Sequence, residues 1–354
     1  MANVNIDYPG FLQKCWQAAL EPRTRGATRV MSLFAGGGGS VTGYAMAGCR
    51  DVAAVEWSSA ACDTLRENWP GLRVYEGDIC EMDPVSIMDE LGLEPGELDI
   101  LDGSPPCQGF STAGRREMSD SRNQLFREYV RFLAAFQPKA FVMENVSGLI
   151  KGKMRLIFRA IHEELSAVGY RVTASLLDAS AYGVPQRRKR TLFLGLKSGV
   201  PTMPSPIIRR PVVVGSALVG ASTAGVRVGM LTDRYGQLWS KIPMPIGRRL
   251  STSAAVVLNG VGFQCCLKPN PAMPSPTLSA QQGQSGYGTF VHWAEARPLS
   301  IGEAKRLQSF PDNYKLTGTY QEQWRRIGNS VPPLMMRAIA LHVKSLLAQN
   351  SKSP

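Results

Sequence analysis

Residues 30–48 read VMSLFAGGGGSVTGYAMAG. An apolar burst from Val30 runs into four consecutive glycines, Gly36 to Gly39, and then into a stretch of helical character. A buried strand that stops at glycine and turns directly into a helix opens a strand–turn–helix unit. Glycine in the turn lets the backbone approach a ligand closely at the strand's carboxyl end. The spacing is not that of a dinucleotide fingerprint, because Gly36 and Gly38 lead to Val41, and Gly37 and Gly39 lead to Thr42. No G-K-[ST] follows, which argues against a phosphate cradle.

Outward from this unit the pattern repeats. VMSLFAG, DVAAVEW, LRVYEGD, LDILDGSPP, KAFVMENV, YRVTASLLDA and RTLFLGL read as strands. SSAACDTLRENW, NQLFREYVRFLAAF and MRLIFRAIHEELSAVG between them read as helices. Strands alternating with helices predict an α/β fold, a doubly wound and mostly parallel sheet of Rossmann-like type. Near Lys197 the pattern breaks into about a hundred residues rich in Pro, Gly and Ser, read as a smaller, irregular, β-rich domain. Helical character returns in SIGEAKRLQSF and PPLMMRAIALHVKSLLA. The expected division is an N-terminal extension over 1–28 with a helix from Phe11 to Leu20, and a catalytic and cofactor domain over 29–196 completed by 325–348. The irregular domain covers 197–300, a return segment 301–324 and a tail 349–354.

The 354 residues carry a net charge of +12. Residues 197–297 hold ten Lys or Arg against two acids, Asp233 and Glu295, so that segment alone carries +8. A basic excess so placed points to a polyanionic partner. Seven scattered cysteines and three histidines, none near a cysteine pair, suit neither a disulfide framework nor a metal site. Cys49, Cys62 and Cys80 read as small core residues. The start lacks secretory signal features and no run of about eighteen apolar residues is evident, so the expectation is a cytoplasmic protein without a membrane segment.

The strand ends carry chemistry. Glu56 ends the second strand and can accept both hydroxyls of a ribose, while the Trp57 indole can cover an adenine. Asp78, before Ile79, can accept from an adenine amino group. An adenosine cofactor without a phosphate cradle points to S-adenosylmethionine. After the fourth strand comes GSPPCQGFS, Gly103 to Ser111. Two prolines stiffen the chain before Cys107, and the polar, glycine-containing run after it reads as a closing loop with basic side chains. A thiol fixed beside a methyl donor suits covalent catalysis at cytosine. Carbon 5 is too electron-poor to be methylated directly, and thiolate addition at carbon 6 makes it nucleophilic. Glu144, at the end of the next strand, would favour addition by a proton shared with ring nitrogen 3. Arg188 and Arg190, spaced two apart and so on one side of a strand, would offer a cation to the carbonyl oxygen.

These motifs resemble those of the DNA (cytosine-5)-methyltransferases, in the family's order, from Val30 to about Val343. SLFAGGGG, EW, GDI, GSPPCQGFS, MENV, QRRKR, RPLSIGEAKRLQSFPD and RRIGNSVPP carry the resemblance. It implies that Cys107 is the nucleophile, Glu144 the acid near nitrogen 3, Arg190 the contact to the base carbonyl and Arg188 its support. It implies a methyl-donor site lined by Phe34, Gly36, Gly38, Glu56, Trp57, Asp78, Ile79, Pro106, Asn329 and Ser330. It further implies that the basic middle domain is a target-recognition domain and that the cytosine is flipped out of duplex DNA. Thr277, in PSPTLSAQQGQSG, is a candidate for a backbone phosphate. Ser111, Arg115, Arg227, Arg234, Gln237, Arg248 and Arg249 are further candidates for DNA contact. The expected protein is monomeric on DNA, with a cognate restriction endonuclease as a further partner. Methylation of a structured RNA and a non-catalytic DNA-binding regulator are the alternatives.

Overall fold

The computed structural model describes residues 7–24, 26–106, 124–150, 154–226, 229, 239–245, 247, 249–257, 263–281 and 289–350. The chain divides into two compact units. One comprises residues 19–178, 189–205 and 336–354, and the other comprises 1–18, 179–188 and 206–335.

The first unit is built on a seven-stranded sheet. Its strands are β1 (Arg29–Leu33), β2 (Arg50–Glu56), β3 (Arg73–Glu76), β4 (Ile100–Gly103), β5 (Ala140–Val146), β6 (Arg171–Asp178) and β7 (Lys189–Leu196), in the spatial order β3-β2-β1-β4-β5-β7-β6. All seven are the strands expected from the apolar bursts. β1 pairs in parallel with both β2 and β4, and β7 is antiparallel to both β5 and β6. The order reverses at β1, the point where open α/β sheets bind ligands beyond the carboxyl ends of their strands.

Helices α2 (Gly39–Met46), α3 (Ser59–Asn68), α4 (Pro84–Glu90), α5 (Gln124–Phe136) and α6 (Arg155–Ala167) join the strands. The two faces of the sheet differ. Met31, Leu33, Leu101, Phe141 and Met143 point into one large core that Tyr129, Phe132 and Phe136 of α5 also fill. Alternation sends Ser32, Ala54, Asp102 and Val142 to the opposite face in one row. The C-terminal end of α2 meets three cations. Arg23 Nη2 donates to the Ala45 carbonyl at 2.6 Å, Arg337 Nε to Met46 at 3.3 Å and Lys344 Nζ to Ala47 at 2.7 Å. Each satisfies an end carbonyl and complements the helix dipole, a contribution of roughly 0.3–1 kcal/mol. The N-terminal end of α2, at the glycine turn, is thereby fixed from the far side.

The second unit carries a three-stranded sheet ordered β10-β9-β8, where β8 is Ser251–Val257, β9 Phe263–Pro269 and β10 Thr289–Phe290. It also holds α7 (Val214–Ala217), α8 (Ile301–Leu307) and α9 (Tyr320–Asn329). Helix α8 starts on a capping box between Ser300 and Glu303, and Glu303 takes both Nη atoms of buried Arg297 at 2.8 Å each. The N-terminal helix α1 (Tyr8–Leu20) begins three residues before the expected Phe11. Asp7 accepts from the Gly10 amide at 3.0 Å, and the buried Tyr8 hydroxyl donates to the Arg306 carbonyl at 3.0 Å, anchoring that extra turn.

By length and composition, the stretch Tyr320–Asn350, comprising α9 and α10 (Pro333–Asn350), could cross a membrane, contrary to the expectation from apolar runs. Its apolar window is 61% buried within the fold, as in the core helix of a globular protein.

Gly103 closes β4 immediately before the Ser104–Pro105–Pro106 segment. A Cβ there would stand 2.7 Å from Tyr129 Cε2. The Tyr129 hydroxyl in turn reaches the carbonyls of Leu101 and Val142 at 3.3 Å each, so the ring has little room to yield. Gly103→Ala is expected to lower stability by about 1–3 kcal/mol through overpacking, as read from urea unfolding followed by circular dichroism.

Candidate active site

The glycine turn adopts conformations that other residues take only with strain. Gly36 has φ 54° and Gly38, the residue before α2, has φ 78°. Phe34 also sits in the left-handed region, at φ 56°. Among the described residues, a Cβ added at Gly36 would meet only the Phe34 carbonyl, at 4.0 Å. The turn is held from β2. Glu56 is buried, its Oε2 accepts from the Gly36 amide at 2.7 Å, and its Oε1 accepts from the Ser58 amide at 2.9 Å. Burial raises the Glu56 pKa, and the amide hydrogen bonds oppose that rise. The Trp57 amide also hydrogen-bonds to this carboxylate, which holds the turn after β2 to it as well. The adjacent Trp57 is 80% exposed, an indole surface left open at the same strand end.

Beyond β3, Asp78 Oδ1 accepts from the Cys80 amide at 2.9 Å and caps the short 3-10 turn Ile79–Glu81, in which Ile79 is buried. Pro106 is exposed at the end of the segment that follows β4. Asn145 Nδ2 donates to the Pro105 carbonyl at 3.2 Å, tying β5 to that segment. Cys107 itself lies outside the described residues, as do Ser111, Arg115, Arg227, Arg234, Gln237 and Arg248. Among the described cysteines, burial raises the thiols of Cys49 and Cys62 to about 12 and that of Cys80 to about 11, values that leave them unreactive at neutral pH. No group of His, Cys, Asp or Glu among the described residues could hold a metal ion.

The two charged groups expected on β5 and β7 meet. Arg190 Nε lies 2.6 Å from Glu144 Oε1, with both side chains mostly buried. The antiparallel direction of β7 makes this possible, because its first residues lie opposite the last residues of β5: Val146 pairs with Arg190 and Glu144 with Leu192. Glu56, Asp102 and Glu144 share one sheet face, the one opposite the large core.

Arg188 departs from the strand alternation expected of it. β7 begins at Lys189, and Arg188, only 1% exposed, belongs to the second unit. Its Nη2 donates to the Gly328 carbonyl at 2.8 Å and its Nη1 to the Leu278 carbonyl at 3.4 Å. The guanidinium therefore fastens backbone segments of that unit. Asn329 and Ser330 lie in the same unit. The Ser330 hydroxyl donates to the Arg326 carbonyl at 2.7 Å, and the Ser330 carbonyl accepts from Gln308 Nε2 at 2.6 Å. The exposed Thr277 donates to the Arg187 carbonyl at 2.8 Å, and Arg249 is exposed.

Sequence reasoning passed over three polar residues. Gln186 and Gln308 are fully buried and share a 2.7 Å hydrogen bond, and Gln186 Oε1 accepts from the Leu278 amide at 3.0 Å. Asp102 is 2% exposed in the apolar strand β4, where an acid amid Ile100, Leu101 and Gly103 was the available signal.

The model of the family "C-5 cytosine-specific DNA methylase" matches residues 28–215 and 231–345. The chain belongs to that family. It is a DNA (cytosine-5)-methyltransferase. It is 33% identical to the Type II methyltransferase M.DdeI of Desulfomicrobium norvegicum, over 88% of this chain and 87% of the relative. It is 29% identical to M.XorII of Xanthomonas oryzae pv. oryzae, over 92% and 86%. Among solved structures it resembles a protein described as a DNA modification methyltransferase encoded within an E. coli prophage, with TM-score 0.69, 26% identity and coverage of 91% and 100%. The S. pombe Dnmt2 methyltransferase, at TM-score 0.60 and 17% identity over 91% and 99%, shares the fold.

The Glu56 bridge makes a measurable demand. Glu56→Ala removes a charged acceptor from two backbone amides and is expected to cost about 1.5–3 kcal/mol, as read from the urea midpoint without any ligand.

Proposed function

We propose that this enzyme methylates carbon 5 of a cytosine turned out of duplex DNA, with S-adenosylmethionine as donor and Cys107 as nucleophile. The observation that carries the reading is the 2.6 Å Glu144–Arg190 pair, a carboxyl and a guanidinium held together at the strand ends beside the segment that leads to Cys107. Such a pair matches one edge of a pyrimidine, where a ring nitrogen and a carbonyl oxygen are neighbours.

The residues of the glycine turn fit the donor. Room beside Gly36 among the described residues, a buried Glu56 carboxylate and an exposed Trp57 indole suit an adenosine with an unphosphorylated ribose. We assign Phe34, Gly36, Gly38, Glu56, Trp57, Asp78, Ile79 and Pro106 to that site, together with Asn329 and Ser330. Bound S-adenosylmethionine supplies an electrophilic methyl group on a sulfonium. The chain's own part is to make carbon 5 nucleophilic. The Cys107 thiolate gives its electron pair to carbon 6 and forms a sulfur–carbon bond. The ring π electrons move toward carbon 5 and nitrogen 3, and Glu144 shares a proton with that nitrogen. Arg190 donates to the neighbouring carbonyl oxygen, with Arg188 holding the backbone that leads to it. Carbon 5 could then take the methyl group; once a base or water removes the carbon 5 proton, its electron pair restores the ring double bond and the sulfur departs as thiolate.

Extrusion of the base is required because attack at carbon 6 comes from the ring face, which is covered inside a stack. Residues 197–300, with their positive excess, would lie against the duplex. There Thr277 and Arg249, and in sequence Arg227, Arg234, Gln237 and Arg248, are assigned to DNA, with Ser111 and Arg115, which follow Cys107 in sequence.

Methyl transfer from radiolabelled donor to unmodified genomic DNA, with tRNA as the parallel substrate, tests the reading. Label in DNA alone is expected; label in tRNA alone would overturn the substrate. Cys107→Ser is expected to abolish turnover, and duplex DNA carrying 5-fluorocytosine at the target should trap the wild-type enzyme covalently, since no proton can leave carbon 5. Normal turnover in the serine variant would remove the covalent step. Glu144→Gln is expected to lower kcat by about 10²–10⁴-fold while DNA affinity changes little. Equal losses in both would mark Glu144 as structural.

A further inference from the structure

The segment that leads into β8 is tied to the end of β9 by two buried side chains. Lys268, near the end of β9, and Asn270, just beyond it, are 4% and 3% exposed, and both donate to backbone carbonyls of residues 239–250. Lys268 Nζ donates to the Ile242 carbonyl at 2.9 Å and stands 3.8 Å over the Trp239 ring. Trp239 Nε1 in turn donates to the His292 carbonyl at 2.8 Å. Asn270 Nδ2 donates to the Arg249 carbonyl at 2.9 Å and to the Gly247 carbonyl at 3.3 Å. The Asn270 amide N–H donates to the Leu250 carbonyl at 2.8 Å, one step beyond the Ser251–Pro269 pair that closes the β8–β9 ladder. Asn270 Oδ1 accepts from the Ala272 amide at 2.9 Å, which fixes the orientation of its side-chain amide. Between these anchors Ile242 and Pro245 are buried, whereas Lys241, Pro243, Met244 and Arg249 are exposed. Gly247 turns the chain at φ 63°.

We propose that residues 239–250 form an element that reads one base pair of the target, with Arg249 on a guanine edge and with Lys268 and Asn270 as its positioning residues. The proposal rests on the reading, given above, that residues 197–300 meet duplex DNA. Removing an ammonium from water is costly, and an apolar side chain at the same place on β9 would pack without that cost. What Lys268 supplies in return is a fixed place for the Ile242 backbone and the Trp239 ring. Asn270 does the same for the carbonyls of Gly247, Arg249 and Leu250. A segment needed only for its charge has no use for such fixing, because phosphates repeat along a duplex and a contact to one carries no sequence information. A base edge is different. It is read by hydrogen bonds of set direction, and the reading group must be held to within about 0.5 Å. Arg249 has the matching chemistry. Its guanidinium only donates, in a planar fork. In the major groove guanine offers two neighbouring acceptors, N7 and O6, whereas adenine sets an acceptor beside a donor. The carbonyls of Arg249 and of the residue after it are both held by Asn270, so the backbone that carries the fork is anchored on either side of the Arg249–Leu250 peptide bond.

The test is the sequence context of 5-methylcytosine left by the full chain in a host whose DNA otherwise lacks it. Bisulfite sequencing maps that context for wild type, Arg249→Lys, Lys268→Met and Asn270→Ala. Lysine keeps the charge that a phosphate contact needs and removes the fork. Arg249→Lys is expected to lose preference at one G·C pair outside the methylated one, by about five- to hundredfold, with the other positions kept. Lys268→Met keeps the aliphatic stem without the ammonium. It and Asn270→Ala are expected to relax that same position by about threefold or more. Arg249 is exposed, so its replacement by another cation leaves the fold intact and carries the test if the anchor variants do not fold. An unchanged sequence preference in Arg249→Lys would overturn the proposal, whatever the total methylation, because that is how a phosphate contact behaves. Relaxation at an A·T pair alone would overturn it too. If Lys268→Met and Asn270→Ala lower methylation at every site by one factor and keep the preference, their role is structural and the positioning claim fails. If wild type leaves no 5-methylcytosine in DNA, the reading of the substrate fails first and the proposal fails with it.

Discussion

The ion pair of Glu144 with Arg190 is the contact on which the arrangement of the sheet edge turns. A carboxylate and a guanidinium removed from water are costly apart and tolerable together, so the end of β5 and the start of β7 must be neighbours. Only an antiparallel β7 achieves that, because a parallel strand would bring its last residues, not its first, to the same edge. The one reversal of direction in an otherwise parallel sheet is therefore the feature that lets a residue after a loop meet one at a strand end. The apolar side of the same strands, with Phe141, Met143 and Phe193, fills the large core and fixes their spacing.

Backbone donors and acceptors do the corresponding work at the other end of the sheet edge. Glu56 joins the turn after β1 to the turn after β2 by two amide hydrogen bonds, and Asn145 joins β5 to the residues after β4. Each bridge runs between neighbouring strands, so loops that carry chemistry inherit the rigidity of the sheet. The cations at the far end of α2 complete this logic, since a helix secured at its C-terminal end presents the glycine turn at a fixed place.

Much of this was legible in the amino-acid order. Near-continuous apolar runs locate all seven strands, because strands buried on both faces need little alternation. The glycine turn, Glu56, Trp57, Glu144 and Arg190 are all at strand ends, where residue type and position together carry meaning. What could not be read has physical causes. Spacing of two puts Arg188 and Arg190 on one side only if both lie on a strand, and the strand starts one residue too late for that. Arg188 turns instead to carbonyls brought near by residues 90 and 140 positions away. The partnership of Gln186 with Gln308 spans 122 positions and leaves no periodic trace. The helix start at Tyr8 depends on the carbonyl of Arg306, 298 positions on.

Asp102 is the most instructive of these. In sequence it reads as one more acid beside the turn that follows β4, much like Asp78 after β3. Only the register, which sets it beside Ser32 and Val142 under the α2 helix, makes it a buried group. Burial changes its chemistry more than its identity does: an exposed aspartate is a fixed charge at neutral pH, whereas this one can gain or lose a proton there. A core that tolerates such a group gives up some packing stability, since an apolar side chain would fill the same row without the desolvation cost. The sheet thus places a titrating carboxyl one alternation behind the Glu144–Arg190 pair.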